Sequence, residues 1–256
     1  MEIKCEDTDV FVLLVYHYNL KDDQTIGDIY VSTGECSYSV AEMCSYLDED
    51  QKHNILFIHA ISGCDTSSSF YGHGKKKVFK KLSSNRPVQS DINIFYENNV
   101  DKEELINAGI RIIQYIYGNI DTSLEVCRYK KYQQMLAKGR IVPGRLPPTN
   151  GAATQHLLRV YLQVQDWLNL TSMSLNPINY GWYQNENTYQ PVTNLDGIAP
   201  PQILNVIACK CNGDCLKTPR CGCKKSGLKC LEACGCGELC SNREVQVVDN
   251  ELCDFL

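Results

Sequence analysis

Nine of the chain's 15 cysteines fall between Cys209 and Cys240, and they repeat one unit three times, a CxC pair followed by a lone cysteine. The units are Cys209, Cys211 and Cys215; Cys221, Cys223 and Cys230; and Cys234, Cys236 and Cys240. Large apolar side chains are scarce between them, so this stretch cannot cohere by burying hydrocarbon. Zinc is the candidate for the missing cohesion, and its tetrahedral coordination needs four donors, of which nine is not a multiple. Two separate four-cysteine sites would strand a thiol, whereas three ions are satisfied if three sulfurs bridge two metals each and six bind one. The threefold repeat therefore predicts a cluster of three zinc ions.

A disulfide knot is the competing reading. It needs an oxidising compartment, and an odd number of cysteines cannot pair completely. The chain opens MEIKCEDTDV, which is not the pattern of a secretory leader. Its longest early apolar run, Val10 to Val15, is far short of the roughly 20 residues that cross a bilayer, so no membrane is expected among its partners.

From Cys209 to Asn242, including KKSGLKC before Cys230, the spacing resembles the cysteine-rich CXC module of the tesmin-like family. That resemblance implies three zincs, contact with DNA and a nuclear location. Family members that read DNA usually carry two modules, with a tyrosine just before the second pair that enters the minor groove. Here there is one module, and Arg220 stands at that position. The chain is acidic overall, with 30 Asp and Glu against 25 Lys and Arg, yet the module holds Lys210, Lys217, Arg220, Lys224, Lys225, Lys229 and Arg243 against Asp214, Glu232 and Glu238. Arg220, Lys224, Lys225 and Lys229 are the expected DNA contacts, to phosphates and the minor groove. The plainer alternative is that these cations only neutralise a net-negative zinc thiolate cluster.

The first half carries a second pattern. Asp7 and Asp9 head an apolar run in CEDTDVFVLLV, and Asp65 follows in FIHAISGCDTSS. Alone such aspartates are commonly helix caps and turn residues. After Asp65 come Gly72 and Gly74, separated by His73, and then Lys75, Lys76, Lys77, Lys80 and Lys81 with Val78, Phe79 and Leu82 at helical spacing. Glycines there would let backbone amides approach a phosphate, with the helix N-terminus and Lys75 and Lys76 adding positive charge. That predicts a DNA backbone grip that reads no bases.

The order of these parts resembles the second half of the flap-endonuclease core, a relative of PIN-like nucleases. The correspondence runs through CysGluAspThrAsp at 5 to 9, a strand at Asp28 to Ser32, helices near Val40 to Leu47 and Gln51 to Ile61, then Gly63-Cys64-Asp65 and Gly72-His73-Gly74. It implies that Asp7, Asp9 and Asp65 are magnesium ligands of a two-metal phosphodiesterase. The family's other metal ligands lie on upstream elements that this sequence does not contain, so this half reads as truncated or degenerate and nuclease activity as absent or vestigial.

Helix signatures continue over Asp101 to Gly118, Ser123 to Lys138, and from the Thr149-Asn150 cap to about Leu168, the last a core helix or a docking face. RIVPGRLPP at 140 to 148 breaks the pattern. The Asn-, Tyr- and Pro-rich Asn176 to Pro201 reads as an ordered loop packed by Trp182 or a semi-rigid linker. His17, His53, His59, His73 and His156 have no metal-ligand spacing and read as ordinary histidines, and Cys5, Cys36, Cys44, Cys64, Cys127 and Cys253 as isolated reduced thiols.

The expected fold is α/β, a mainly helical remnant of a PIN/flap-endonuclease-like core with little sheet, followed by a small irregular zinc-cluster module. The domains are 1–140 (core), 141–200 (helix and connecting segment), 201–243 (module) and 244–256 (tail). Assembled this way, the chain is similar to mobile-element-associated invertebrate proteins. The function expected is zinc-dependent DNA binding in the nucleus. Alternatives are a fragment of a metal-dependent structure-specific nuclease and a zinc-stabilised interaction module that engages chromatin proteins.

Overall fold

A computed structural model describes residues 1–19, 27–34, 36–83, 88–118, 123–137, 141–168, 175–192, 194, 196, 209–225, 228–231, 234–237 and 240–243. The tail at 244–256 with Cys253, the 197–208 segment, and Ser226, Gly227, Glu232 and Glu238 of the cysteine-rich stretch lie outside the described residues. The chain divides into two compact units, Met1–Asp196 and Gly197–Leu256.

The first unit is mostly helical with small sheets. It opens with β1 (Glu2–Lys4), α1 (Thr8–Asn19), β2 (Tyr30–Thr33) and β3 (Cys36–Ser39). β1 pairs in parallel with β2, so α1 is the crossover of a β-α-β unit, and β3 adds antiparallel to the other side of β2. Val15, Ile29, Val31, Val40 and Cys44 form a small core beneath this sheet. Asp28 locks its edge by accepting from the Ser39 hydroxyl at 2.6 Å and the Ala41 amide at 3.3 Å.

α2 (Val40–Ser45) is capped by Ser39, and α3 (Glu49–Ser62) by a reciprocal capping box between Asp48 and Gln51. The NILFIHAIS half of α3 is buried almost all round because α1, α4 (Lys75–Leu82) and α8 (Asn150–Leu168) pack against it. α5 (Gln89–Asn93) is joined to α6 (Lys102–Tyr117) by the Asp91–Arg111 ion pair. Asp101 caps α6 through the amides of Glu103 and Glu104, and Gly118, in the left-handed region at φ 84°, ends it. α7 (Leu124–Ala137) follows.

The compact unit does not end near residue 140 as expected. The PGR turn at Pro143–Arg145 is a bend within it, and α8 is core, with Ala153, Leu157, Val160 and Val164 fully buried beside residues of α3 and α6. Burial explains the difference, because a helix with this much apolar surface gains more by docking than by linking. Close docking needs Gly109, where a β-carbon would meet the Leu157 side chain. α8 also satisfies the chain after α5, Tyr161 donating to the Glu97 carbonyl at 2.9 Å and Gln165 to that of Phe95 at 2.9 Å.

The segment around Trp182 is an ordered hairpin, β4 (Trp182–Asn185) with β5 (Thr188–Pro191). Arg159 of α8 holds it by donating to the Gly181 carbonyl and lying over the Trp182 ring. No helix among the described residues is long and apolar enough to cross a membrane.

Candidate metal centre

In the second unit the buried cluster consists of cysteines, with Cys211, Leu228 and Leu231 at its margin. Among the described residues, three groups of four thiols have all their sulfurs within 4.8 Å of one another. They are Cys209, Cys215, Cys230 and Cys236; Cys209, Cys221, Cys223 and Cys230; and Cys209, Cys211, Cys215 and Cys221. Cys209 belongs to all three, and Cys215, Cys221 and Cys230 to two each. Cys234 packs its sulfur on that of Cys223 at 3.7 Å, and Cys240 accepts from the Cys215 amide, so all nine cysteines meet in one body.

The spacing suits a metal better than disulfides. Sulfur separations are 3.6 Å for Cys209 and Cys215 and 4.0 Å for Cys209 and Cys230. A disulfide needs about 2.05 Å, whereas two thiolates on one tetrahedral zinc at about 2.3 Å stand about 3.8 Å apart. The cysteine groups can therefore hold metal ions, and zinc fits both donor type and distance.

The protein also presents donors to the sulfurs, as ligating thiolates require. The amides of Lys224, Leu231 and Cys215 point at Cys221, Cys234 and Cys240 at 3.3–3.4 Å, and the Asn242 side chain at Cys230 at 3.2 Å. These contacts favour the charged sulfur. The Lys224 amide foremost holds the Cys221 thiol below its ordinary value. Cys240 is brought down to about 7, against its burial, by the amides of Cys215 and Asn242. Where burial dominates, as at Cys215 and Cys230, the metal-free thiol is pushed up instead, so neutral sulfurs crowd there until a cation compensates them.

Long-range ties close the fold around the sulfurs. The Asp214 carboxylate accepts from the Leu216 amide at 3.1 Å and from the amide and hydroxyl of Ser241 at 3.1 and 3.0 Å, joining the first repeat to the end of the third. Gly235 donates to the Cys209 carbonyl at 2.8 Å, and Asn242 spans Leu228 and Cys230. Sequence reasoning counted Asp214 only as a charge, since its partner lies 27 residues away with no local signature.

Arg220, Lys225 and Lys229 are exposed on the module. Lys224 is exposed too but donates to the Leu216 carbonyl at 2.7 Å, and Arg243 to that of Leu231 at 2.9 Å, so both also serve the module's own backbone.

In the first unit the three aspartates take separate places. Asp7 caps α1 by accepting from the Asp9 amide at 2.9 Å. Asp9 contacts the buried His59 at 2.6 Å, a partner that no local spacing could have signalled. Burial holds the His59 imidazole below the ordinary histidine value, against the pull of Asp9. Asp65 is exposed at the tip of the Cys64–Ser67 turn. Asp7, Asp9 and Asp65 are not gathered into a metal-sized group.

Gly72 sits in the left-handed region at φ 75°, and the space a β-carbon would occupy there and at Gly74 is open. Lys76 is exposed, while Lys75 turns inward to the Gly63 carbonyl. No family model matches the chain, and no curated protein and no solved structure matches it.

Proposed function

We propose that the chain is a nuclear zinc-cluster protein whose CXC-like module binds DNA. The observation that carries the metal reading is the sharing of thiols, because overlapping four-thiol groups support one cluster with bridging sulfurs, and three zinc ions are the number that nine cysteines can satisfy in such a cluster. Nine thiolates on three divalent ions leave an excess of three negative charges, and the module's side chains carry a surplus of four positive ones. The net field is therefore weak, and attraction to phosphate depends on where individual cations project. Arg220, Lys225 and Lys229 project outward, with Arg220 suited to a narrow minor groove.

The first unit is read as a degenerate PIN/flap-endonuclease-like core from a mobile-element-associated lineage. The parallel β1-α1-β2 unit, the helices after it and the Gly72 turn come in the order that reading requires. No nuclease step is proposed, since Asp7 and Asp9 are engaged as a cap and as the partner of His59.

The test is zinc per chain by elemental analysis of the full-length protein, followed by a salt-dependent DNA titration of the same sample. Three ions and an affinity that falls steeply with salt are expected, and Arg220→Gln with Lys225→Gln and Lys229→Gln should weaken binding at unchanged zinc content. Zinc without that loss would leave a structural platform for chromatin proteins, and a zinc-free protein would end the central reading.

A further inference from the structure

The sheet of the first unit ends on a strand edge that nothing among the described residues covers. β1 is the outer strand in the order β1-β2-β3. Met1 accepts from the Tyr30 amide at 2.8 Å and Cys5 donates to the Ser32 carbonyl at 3.1 Å, so Met1, Ile3 and Cys5 turn their peptide groups to β2. The amides and carbonyls of Glu2 and Lys4 therefore point the other way, out of the sheet, and no described residue bonds them. An edge of this kind is a template for another strand.

The side chains on the edge specify which strand. Glu2 and Lys4 lie on one face, both exposed, with the half-buried Ile3 on the other. An antiparallel copy of β1, related by a two-fold axis at Ile3, sets Glu2 against the Lys4 of the second copy and Lys4 against its Glu2. These are the residues whose peptide groups face outward, so each faces its opposite number as a reciprocally bonded pair, about 5.5 Å apart at Cα. Ile3 meets the Ile3 of the second copy in the closer, unbonded pairing, which suits β-branched side chains. Sliding the copy by two residues either way brings Glu2 onto Glu2 or Lys4 onto Lys4, so charge admits one antiparallel register.

The rest of the sheet agrees with self-pairing. The other edge, β3, reads CSYS and carries no charge for β1 to match. A β1–β3 contact would also repeat head to tail without closing, whereas β1 on itself closes. The Ser32 hydroxyl donates to the Glu2 carboxylate and steadies it along the strand. The face that bears Glu2 and Lys4 opens on a cavity of about 660 Å³ that reaches Glu6, Ser32 and Ser37, so it is left unpacked.

We propose that the chain self-associates through β1 as a two-fold dimer, with one sheet running β3-β2-β1-β1-β2-β3 across the two copies and its register fixed by the reciprocal Glu2–Lys4 pairs. An edge this short buries little surface, so the association is weak and concentration-dependent. It depends neither on zinc nor on nucleic acid, and its consequence is that one assembly presents two cysteine modules.

The test is analytical ultracentrifugation of the full-length protein over a concentration series, which should show a reversible monomer–dimer equilibrium. Lys4→Glu makes both facing pairs acidic and Glu2→Lys makes both basic, so each variant alone should dimerise at least tenfold more weakly. Glu2→Lys also reduces the net charge of −5, so general repulsion between copies predicts the opposite change for that variant. Mixing the two variants restores opposite charges at both pairs, and the dimer should return in the mixture, which a misfolded variant could not achieve. Amide exchange at Glu2 and Lys4 should slow as the wild-type concentration rises.

A monomer at every concentration overturns the proposal. So does a dimer that survives both charge reversals, or one that mixing fails to restore.

Discussion

Replacing Cys209 by serine should cost more metal than replacing Cys211, although the two stand in the same CxC pair. Cys209 is in all three four-thiol groups, and Cys211 is in one. Structural zinc sites are worth roughly 10–16 kcal/mol each, so one of four thiolates carries about 3 kcal/mol and its loss weakens a site more than a hundredfold. Cys211→Ser should therefore impair one site and leave about two zinc ions per chain, whereas Cys209→Ser, as a bridging thiolate, weakens two sites at once. Elemental analysis after dialysis against a mild chelator, with release followed by a chromogenic zinc indicator, reads the difference. Loss of about one zinc ion is expected for Cys211→Ser and of about two for Cys209→Ser. Equal loss in the two variants would refute the sharing of Cys209 and with it the bridged-cluster argument.

Three further outcomes are expected. Gly109→Ala puts a β-carbon against Leu157, with Cγ at 2.8 Å, between two packed helices. It should destabilise the helical unit by about 2 kcal/mol, lowering its melting temperature by about 4–8 °C, and an unchanged melting temperature would show that α6 and α8 do not dock this closely. His156 is fully buried, with Nε2 against the Ile61 carbonyl and Nδ1 against the Ser68 hydroxyl, and burial, with Arg159 adding to it, pushes its pKa down to about 4. The unfolded chain takes up this proton below about pH 6.5 and the folded chain only near pH 4, so stability is full above 6.5 and falls by about 3 kcal/mol as pH drops through that window. Urea titrations at pH 7, 5.5 and 4.5 should record the loss, and His156→Gln should reduce it, leaving the share of His73, whose pKa burial likewise pushes down to about 4. Asp214→Ala removes the clasp to Ser241 without touching a sulfur and should speed zinc release while the helical unit melts as before, a result that normal release kinetics would contradict.

The cysteine centre was legible before any folding was considered, because its information is carried by ligand type and spacing, and three CxC units so close in sequence can hardly avoid meeting around a metal. Several helices were legible for a related reason. Asp101 with Glu103 and Glu104 at one end of α6 and Gly118 at the other are local signals that satisfy that helix's own unpaired backbone groups. What the chain does beyond one turn of helix or one ligand set was not legible. Nothing near Asp9 announces His59, 50 residues on, and nothing near Asp214 announces Ser241. A run of lysines reads as uniform charge, yet packing sends Lys75 inward to Gly63 and ties Lys81 to the Ile116 carbonyl at the end of α6. Likewise the PGR turn looks like a domain edge until the apolar surface of α8 finds its place beside α3 and α6. Sequence alone determined the cysteine cluster's capacity to hold metal and the helices with their own caps, since both depend on near neighbours. Only the tertiary structure decided which aspartates are engaged, which cations face solvent and where the core ends, because burial and charge pairing join residues far apart along the chain.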